Sequence, residues 1–142
     1  MIQNIRHTGI VVKDLGQSLR FYRDLLGFKI TKQMEESGGY IDNMSALNGI
    51  KVTTITMALS DGQMVELLKY HSHPREPKLR ESCEVGISHI AFTVDNLERE
   101  YQRLTKEGIV FNAPPQSSPD GYAKVTFCRA PEGTLIELVE VL

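Results

Sequence analysis

The chain is predicted to adopt an α+β fold made of two tandem βαβββ modules. Three observations predict it: an internal duplication, one amphipathic helix per copy following a β-branched run, and a glycine-turned hairpin closing each copy. With 142 residues, 41% hydrophobic and 24% charged, the chain has the size and composition of one compact globular domain.

The duplication is read directly. Ile5-Arg6-His7-Thr8-Gly9-Ile10-Val11-Val12 aligns with Ile87-Ser88-His89-Ile90-Ala91-Phe92-Thr93-Val94, an offset of 82. Further on, Asp61-Gly62-Gln63-Met64-Val65-Glu66-Leu67 aligns with Glu132-Gly133-Thr134-Leu135-Ile136-Glu137-Leu138, an offset of 71. The first copy therefore carries 82 − 71 = 11 extra residues between the matched segments. The Gly-, Ser- and Asn-rich stretch from Glu36 to Lys51 is their natural place, as a surface loop or a lid around Tyr40-Ile41-Asp42-Asn43-Met44. The modules are expected at residues 1–70 and 86–142, joined by a polar, proline-bearing linker at 71–85.

The elements follow in order. Residues 5–12 are apolar and β-branched, as a strand requires. Asp14 offers a helix cap with Gln17 three positions on. Leu15, Leu19, Tyr22 and Leu26 form an apolar stripe, and Gly27 supplies the stop. Strand 28–35 comes next, then a hairpin with a two-residue turn at Asp61-Gly62. In the second copy Asp95 or Asn96 caps a helix striped by Leu97, Tyr101 and Leu104 and ended by Gly108. Strand 109–113, a surface loop over 114–121 and a hairpin turning at Pro131-Glu132-Gly133 complete it.

Composition excludes several classes of function. The net charge is −2 and Lys and Arg are interleaved with Asp and Glu, which gives nucleic acid no basic stripe to bind. No apolar run approaches the roughly 20 residues of a membrane-spanning helix. The first residues lack the basic and apolar segments of a secretory signal, so a cytoplasmic location is expected. Cys83 and Cys128 form no CxxC and read as ordinary thiols of a reducing compartment.

Four residues carry chemistry. Period-two alternation puts His7 on one strand face with Ile5, Gly9 and Val11, and Glu66 with Met64 and Leu68, opposite Val65 and Leu67. His89 and Glu137 repeat this in the second module. A lone strand glutamate ordinarily lies on a solvated face; equivalent His and Glu positions in both copies call for another explanation. Two neutral imidazoles and two carboxylates together balance one divalent cation, and such an N/O set suits Ni, Zn, Co, Mn or Fe with open positions for substrate. His71 and His73 read as solvated linker residues, while Lys69, Tyr70, Lys124 and Arg129 could meet an anionic substrate group or equally face solvent.

The runs His7-Thr8-Gly9-Ile10-Val11-Val12-Lys13-Asp14, Leu25-Leu26-Gly27-Phe28, Val65-Glu66-Leu67, Gly86-Ile87-Ser88-His89-Ile90-Ala91-Phe92 and Pro131-Glu132-Gly133-Thr134-Leu135-Ile136-Glu137-Leu138 resemble the vicinal oxygen chelate superfamily of glyoxalases, bleomycin-resistance proteins and dioxygenases. The look is closest to glyoxalase I and methylmalonyl-CoA epimerase. The resemblance implies a curved, incomplete mixed β-barrel with helices outside. It also implies His7, Glu66, His89 and Glu137 as ligands of one divalent metal ion. The expected activity is that of a lyase or an isomerase/epimerase: a small substrate presents vicinal oxygens to the cation, and a proton next to a carbonyl is removed through an enediolate. Glu137 is the first candidate for the base and Glu66 the second. Where glyoxalase I carries an arginine that helps hold glutathione, this chain has Val11, which argues against glutathione. The rival expectations are an Fe(II) extradiol dioxygenase and a non-enzymatic antibiotic-binding protein. Open sheet edges lead to the expectation of a homodimer.

Overall fold

The structure, a computed structural model, describes residues 1–142 and divides into two compact units, Met1–Pro77 and Lys78–Leu142. The first contains β1 (Thr8–Val11), α1 (Leu15–Leu19) prolonged by π-helical turns over Arg20–Leu25, β2 (Lys29–Ser37), α2 (Gly39–Ser45), β3 (Lys51–Ala58) and β4 (Met64–Tyr70). Its sheet runs β1-β4-β3-β2, with β1 parallel to β4 and the other pairs antiparallel. The second contains β5 (His89–Thr93), α3 (Leu97–Lys106), β6 (Gln116–Ser117), β7 (Ala123–Arg129) and β8 (Leu135–Val141). Its sheet, β5-β8-β7-β6, repeats the topology, with β5 parallel to β8. Two four-stranded mixed sheets carrying helices make the α+β fold that the duplication predicts, and neither sheet closes on itself.

Local chemistry explains most boundaries. The Asp14 carboxylate accepts the Gln17 backbone N–H at 3.0 Å, and Asn96 does the same for Arg99 at 2.8 Å. Asn96 is therefore the second cap. Asp95, the other candidate, pairs with the Arg99 guanidinium instead. Both hairpins turn alike: Leu59 N–H reaches Gln63 O and Ala130 N–H reaches Thr134 O, each at 2.9 Å. Each loop thus holds three residues, ending in Gly62 (φ +88°) or Gly133 (φ +96°). The two-residue turn expected at Asp61-Gly62 is one residue longer, with glycine at the left-handed position that such loops need.

Several expectations shift. Strand 5–12 is realised only over Thr8–Val11, because β4 begins at Met64 and leaves the chain before Thr8 without a full partner. The first helical stripe rotates. Leu26 N–H bonds Phe21 O, five residues back, and this wider turn carries Phe21 into the core beside Tyr22, their rings edge-on at 4.9 Å. Leu15, Leu19 and Leu26 are only half-buried. The inserted segment is helical at α2, tied back by Asp42, whose carboxylate accepts the N–H groups of Gly49 and Ile50 at 2.9 Å each. Residues 109–113 form no strand beyond a single bridge from Phe111 to Cys128. Prolines at 114 and 115 have no N–H to continue a ladder, so pairing resumes at Gln116, inside the expected loop.

The face of each sheet that meets a helix is the core. Ile55, Met57, Val65, Leu67, Ile136 and Leu138 are all no more than 2% exposed, and each buried aliphatic side chain contributes about 1.5–3 kcal/mol. Strand alternation then dictates that Glu66 and Glu137 lie on the opposite face. No helix is long and apolar enough to cross a membrane.

Candidate metal centre

The two halves place their candidate ligands by one rule. Gly9 pairs with Glu66 across β1 and β4, and Ala91 pairs with Glu137 across β5 and β8. Each histidine precedes that paired residue by two positions, so it shares the glutamate's face one strand step earlier. His7 Nε2 lies 3.9 Å from Glu66 Oε1; His89 Nε2 lies 3.0 Å from Glu137 Oε2. The carboxylate side chains keep 23% and 20% of their surface, enough for a ligand to reach them.

Hydrogen bonds around His89 define what the pair needs. Ser88 Oγ has one proton and donates it to Ser82 O at 3.0 Å. The contact of His89 Nδ1 with Ser88 Oγ at 3.1 Å must then have Nδ1–H as donor. In a neutral imidazole this leaves the Nε2 lone pair facing a carboxylate oxygen. Two electron donors at 3.0 Å repel unless one positive charge sits with them, either a proton or a metal ion.

The donor set fits a metal. Metal–nitrogen and metal–oxygen bonds of about 2.0–2.2 Å give neighbouring ligands of a six-coordinate ion a separation of about 3.0 Å. The His89–Glu137 spacing has that value, and the wider His7–Glu66 pair can close by turning the His7 ring, whose last torsion is soft and whose side chain is 36% exposed. No group of three or more His, Cys, Asp and Glu side chains gathers around either pair. Each module thus brings together one histidine and one glutamate of the four candidates.

Three neighbours went unforeseen in the sequence. Thr56, opposite Glu66 on β3, donates its hydroxyl to Glu66 Oε2 at 3.3 Å. Phe127, opposite Glu137 on β7, sets its ring edge-on to His89 at 5.2 Å. Ser88 is the third. The offset of 71 that links Glu66 to Glu137 also links Thr56 to Phe127, but only the strand register places each of them opposite its glutamate. Other candidates have structural duties. Arg129 donates to Gly133 O and Arg80 O at 3.0 and 2.8 Å, Lys69 donates to Lys13 O, and His71 Nε2 meets Thr53 Oγ1 at 2.7 Å. Val11, 58% exposed, leaves an apolar patch on the face of Gly9.

This architecture defines a class. The chain superposes with a TM-score of 0.90 on a glyoxalase family protein of Bacillus cereus, at 22% identity over 100% of this chain and 96% of that one. The chain belongs to the Glyoxalase/Bleomycin resistance protein/Dioxygenase superfamily, which its residues 4–138 match. It is 27% identical to the uncharacterized protein YwkD of Bacillus subtilis over 99% of this chain and 98% of that protein. It is 30% identical to the lactoylglutathione lyase of Schizosaccharomyces pombe, over 95% of this chain but 46% of that protein.

Proposed function

We propose that the protein is a metal-dependent lyase or isomerase/epimerase acting on a small substrate with vicinal oxygens. One observation carries the reading: a His–Glu pair recurs in the same strand register in both modules, at 3.0 Å in the second. His7, Glu66, His89 and Glu137 together would hold one divalent ion, from Ni, Zn, Co, Mn or Fe. When bound, the ion supplies Lewis-acid stabilisation of negative charge on the substrate's oxygens, worth several kcal/mol. The likeness to a lactoylglutathione lyase supports the lyase class; the apolar Val11 favours a substrate other than a glutathione adduct.

The chain's own part is proton transfer. Glu137 takes the proton from the carbon next to the carbonyl, the electron pair moves to the carbonyl oxygen, and the carboxylic acid so formed returns the proton to the substrate. Glu66 is the second candidate for that base. The open edges β1 and β5 favour a homodimer, and the interleaving of Lys and Arg with Asp and Glu favours a small-molecule substrate over a nucleic acid; a cytoplasmic location is part of the same proposal.

The test is solvent exchange. Protein loaded with each metal in turn is incubated in D₂O with α-hydroxy ketones and 2-substituted 3-oxo thioesters, and deuterium incorporation is followed by NMR. Exchange that depends on metal and is lost in E137Q is expected. Full activity in protein shown by elemental analysis to be metal-free sinks the reading. Oxygen uptake with catechols after iron loading would place the protein among dioxygenases instead.

A further inference from the structure

The two halves treat their carboxylates differently, and the difference falls at one duplicated position. Glu66 faces Thr56 across the antiparallel ladder and Glu137 faces Phe127. We propose that Thr56 is a positioning residue that presents one defined oxygen of Glu66 to the cation, making Glu66 the firmer carboxylate ligand of the two. The proposal rests on the metal-centre reading above and deepens it.

Thr56 divides the two oxygens of Glu66. Its hydroxyl binds Oε2 at 3.3 Å, while Oε1 is the oxygen turned toward His7. A carboxylate's last torsion is broad and two-fold, so an unrestrained glutamate presents either oxygen. A threonine hydroxyl on a β-branched, stiff side chain removes that freedom and leaves one defined oxygen for the cation. Outer partners of this kind orient ligands and raise metal affinity.

Phe127 has no polar atom to offer Glu137. Its ring lies edge-on to His89, with an interplanar angle of 86°, and Ser88 engages the same imidazole through Nδ1. In the second half the supports act on the histidine, and Glu137 has that histidine, 3.0 Å from its Oε2, in place of a hydroxyl.

Calorimetric titration of the full chain with Zn²⁺ alone tests this. T56V, near-isosteric and at ease in a strand, is expected to weaken zinc binding about 10–100-fold, as loss of an outer partner does. T56S should restore most of the affinity, and T54V, on the same face of β3 opposite Leu68, should leave it unchanged. E66Q should lose more affinity than E137Q. Wild-type affinity in T56V, equal loss in T54V, failure of T56S to rescue, or a reversed order of E66Q and E137Q each overturns the assignment. If T56V does not fold, T56S and the glutamate pair still decide. A wild-type protein that binds no zinc, nickel or cobalt fails the metal-centre reading itself.

Discussion

His89 Nε2 stands 3.0 Å from Glu137 Oε2 while its other ring nitrogen is committed to the Ser88 hydroxyl. That hydroxyl is in turn spent on a backbone carbonyl. The Ser88 contact holds the Nδ1–H from behind and turns Nε2 toward the carboxylate. In S88A, Nδ1 loses its partner and either nitrogen can carry the proton. Metal affinity should fall about 10–100-fold in S88A, with secondary structure unchanged by circular dichroism. H89A should fall further. Competition with a coloured chelator measures both, and an S88A affinity equal to wild type would remove the serine from this role.

The paired hairpins give a stability test with a built-in control. Gly62 and Gly133 occupy the same loop position, at φ +88° and +96°. An added Cβ at Gly62 meets nothing within 4 Å, whereas at Gly133 it meets Lys78 O at 3.2 Å and Leu79 Cδ2 at 3.5 Å. Both alanine variants incur the left-handed penalty of about 1–2 kcal/mol. G133A must also displace backbone. Urea melts should therefore rank G133A below G62A, and equal losses would show that the segment at Lys78 yields without cost.

Much of this was legible in the chain. The duplication determined topology because an aligned strand, helix and hairpin can bury their apolar face in only one arrangement, and it singled out His7, Glu66, His89 and Glu137 before any coordinate. What it concealed lies where tertiary context overrides pattern. The π-helical turn that brings Phe21 into the core breaks the period by which a stripe is read. Glu36 to Lys51 looked like loop because its helix, α2, is short, rich in polar residues and held by Asp42 rather than by an apolar face. Thr56 was hidden because cross-strand register, unlike alternation, depends on hairpin length, and that loop was read one residue short.

Asp42 makes a separate prediction. Backbone N–H groups of Ile50 and Gly49 hold its carboxyl below the usual carboxylate range, with a smaller contribution from His73. A depressed value means the clasp is present above the carboxyl's ordinary range and is lost as pH falls through the lowered value. Amide exchange at Ile50 should stay slow through mildly acid pH and accelerate only at more acid pH, while D42A should exchange fast throughout. Equal protection in D42A would mean that the return to β3 is held by other contacts.

The cysteines yield a prediction at the alkaline end. Cys83 is exposed and Cys128 buried, and burial pushes the Cys128 thiol up to about 12 from an ordinary 9.0. In the native protein a thiol reagent should therefore modify Cys83 alone, and both residues once the chain is unfolded. The folded state keeps the Cys128 proton where the unfolded chain releases it. The stability this provides is intact below the unfolded value and declines as pH rises, at about 1.4 kcal/mol per pH unit in the steepest range, until the folded value is reached. Urea melts from neutral pH to about 11 should show this decline in the wild type and a shallower one in C128A, which starts less stable because the buried sulfur is gone. Parallel slopes in the two proteins would show that some other group governs alkaline unfolding.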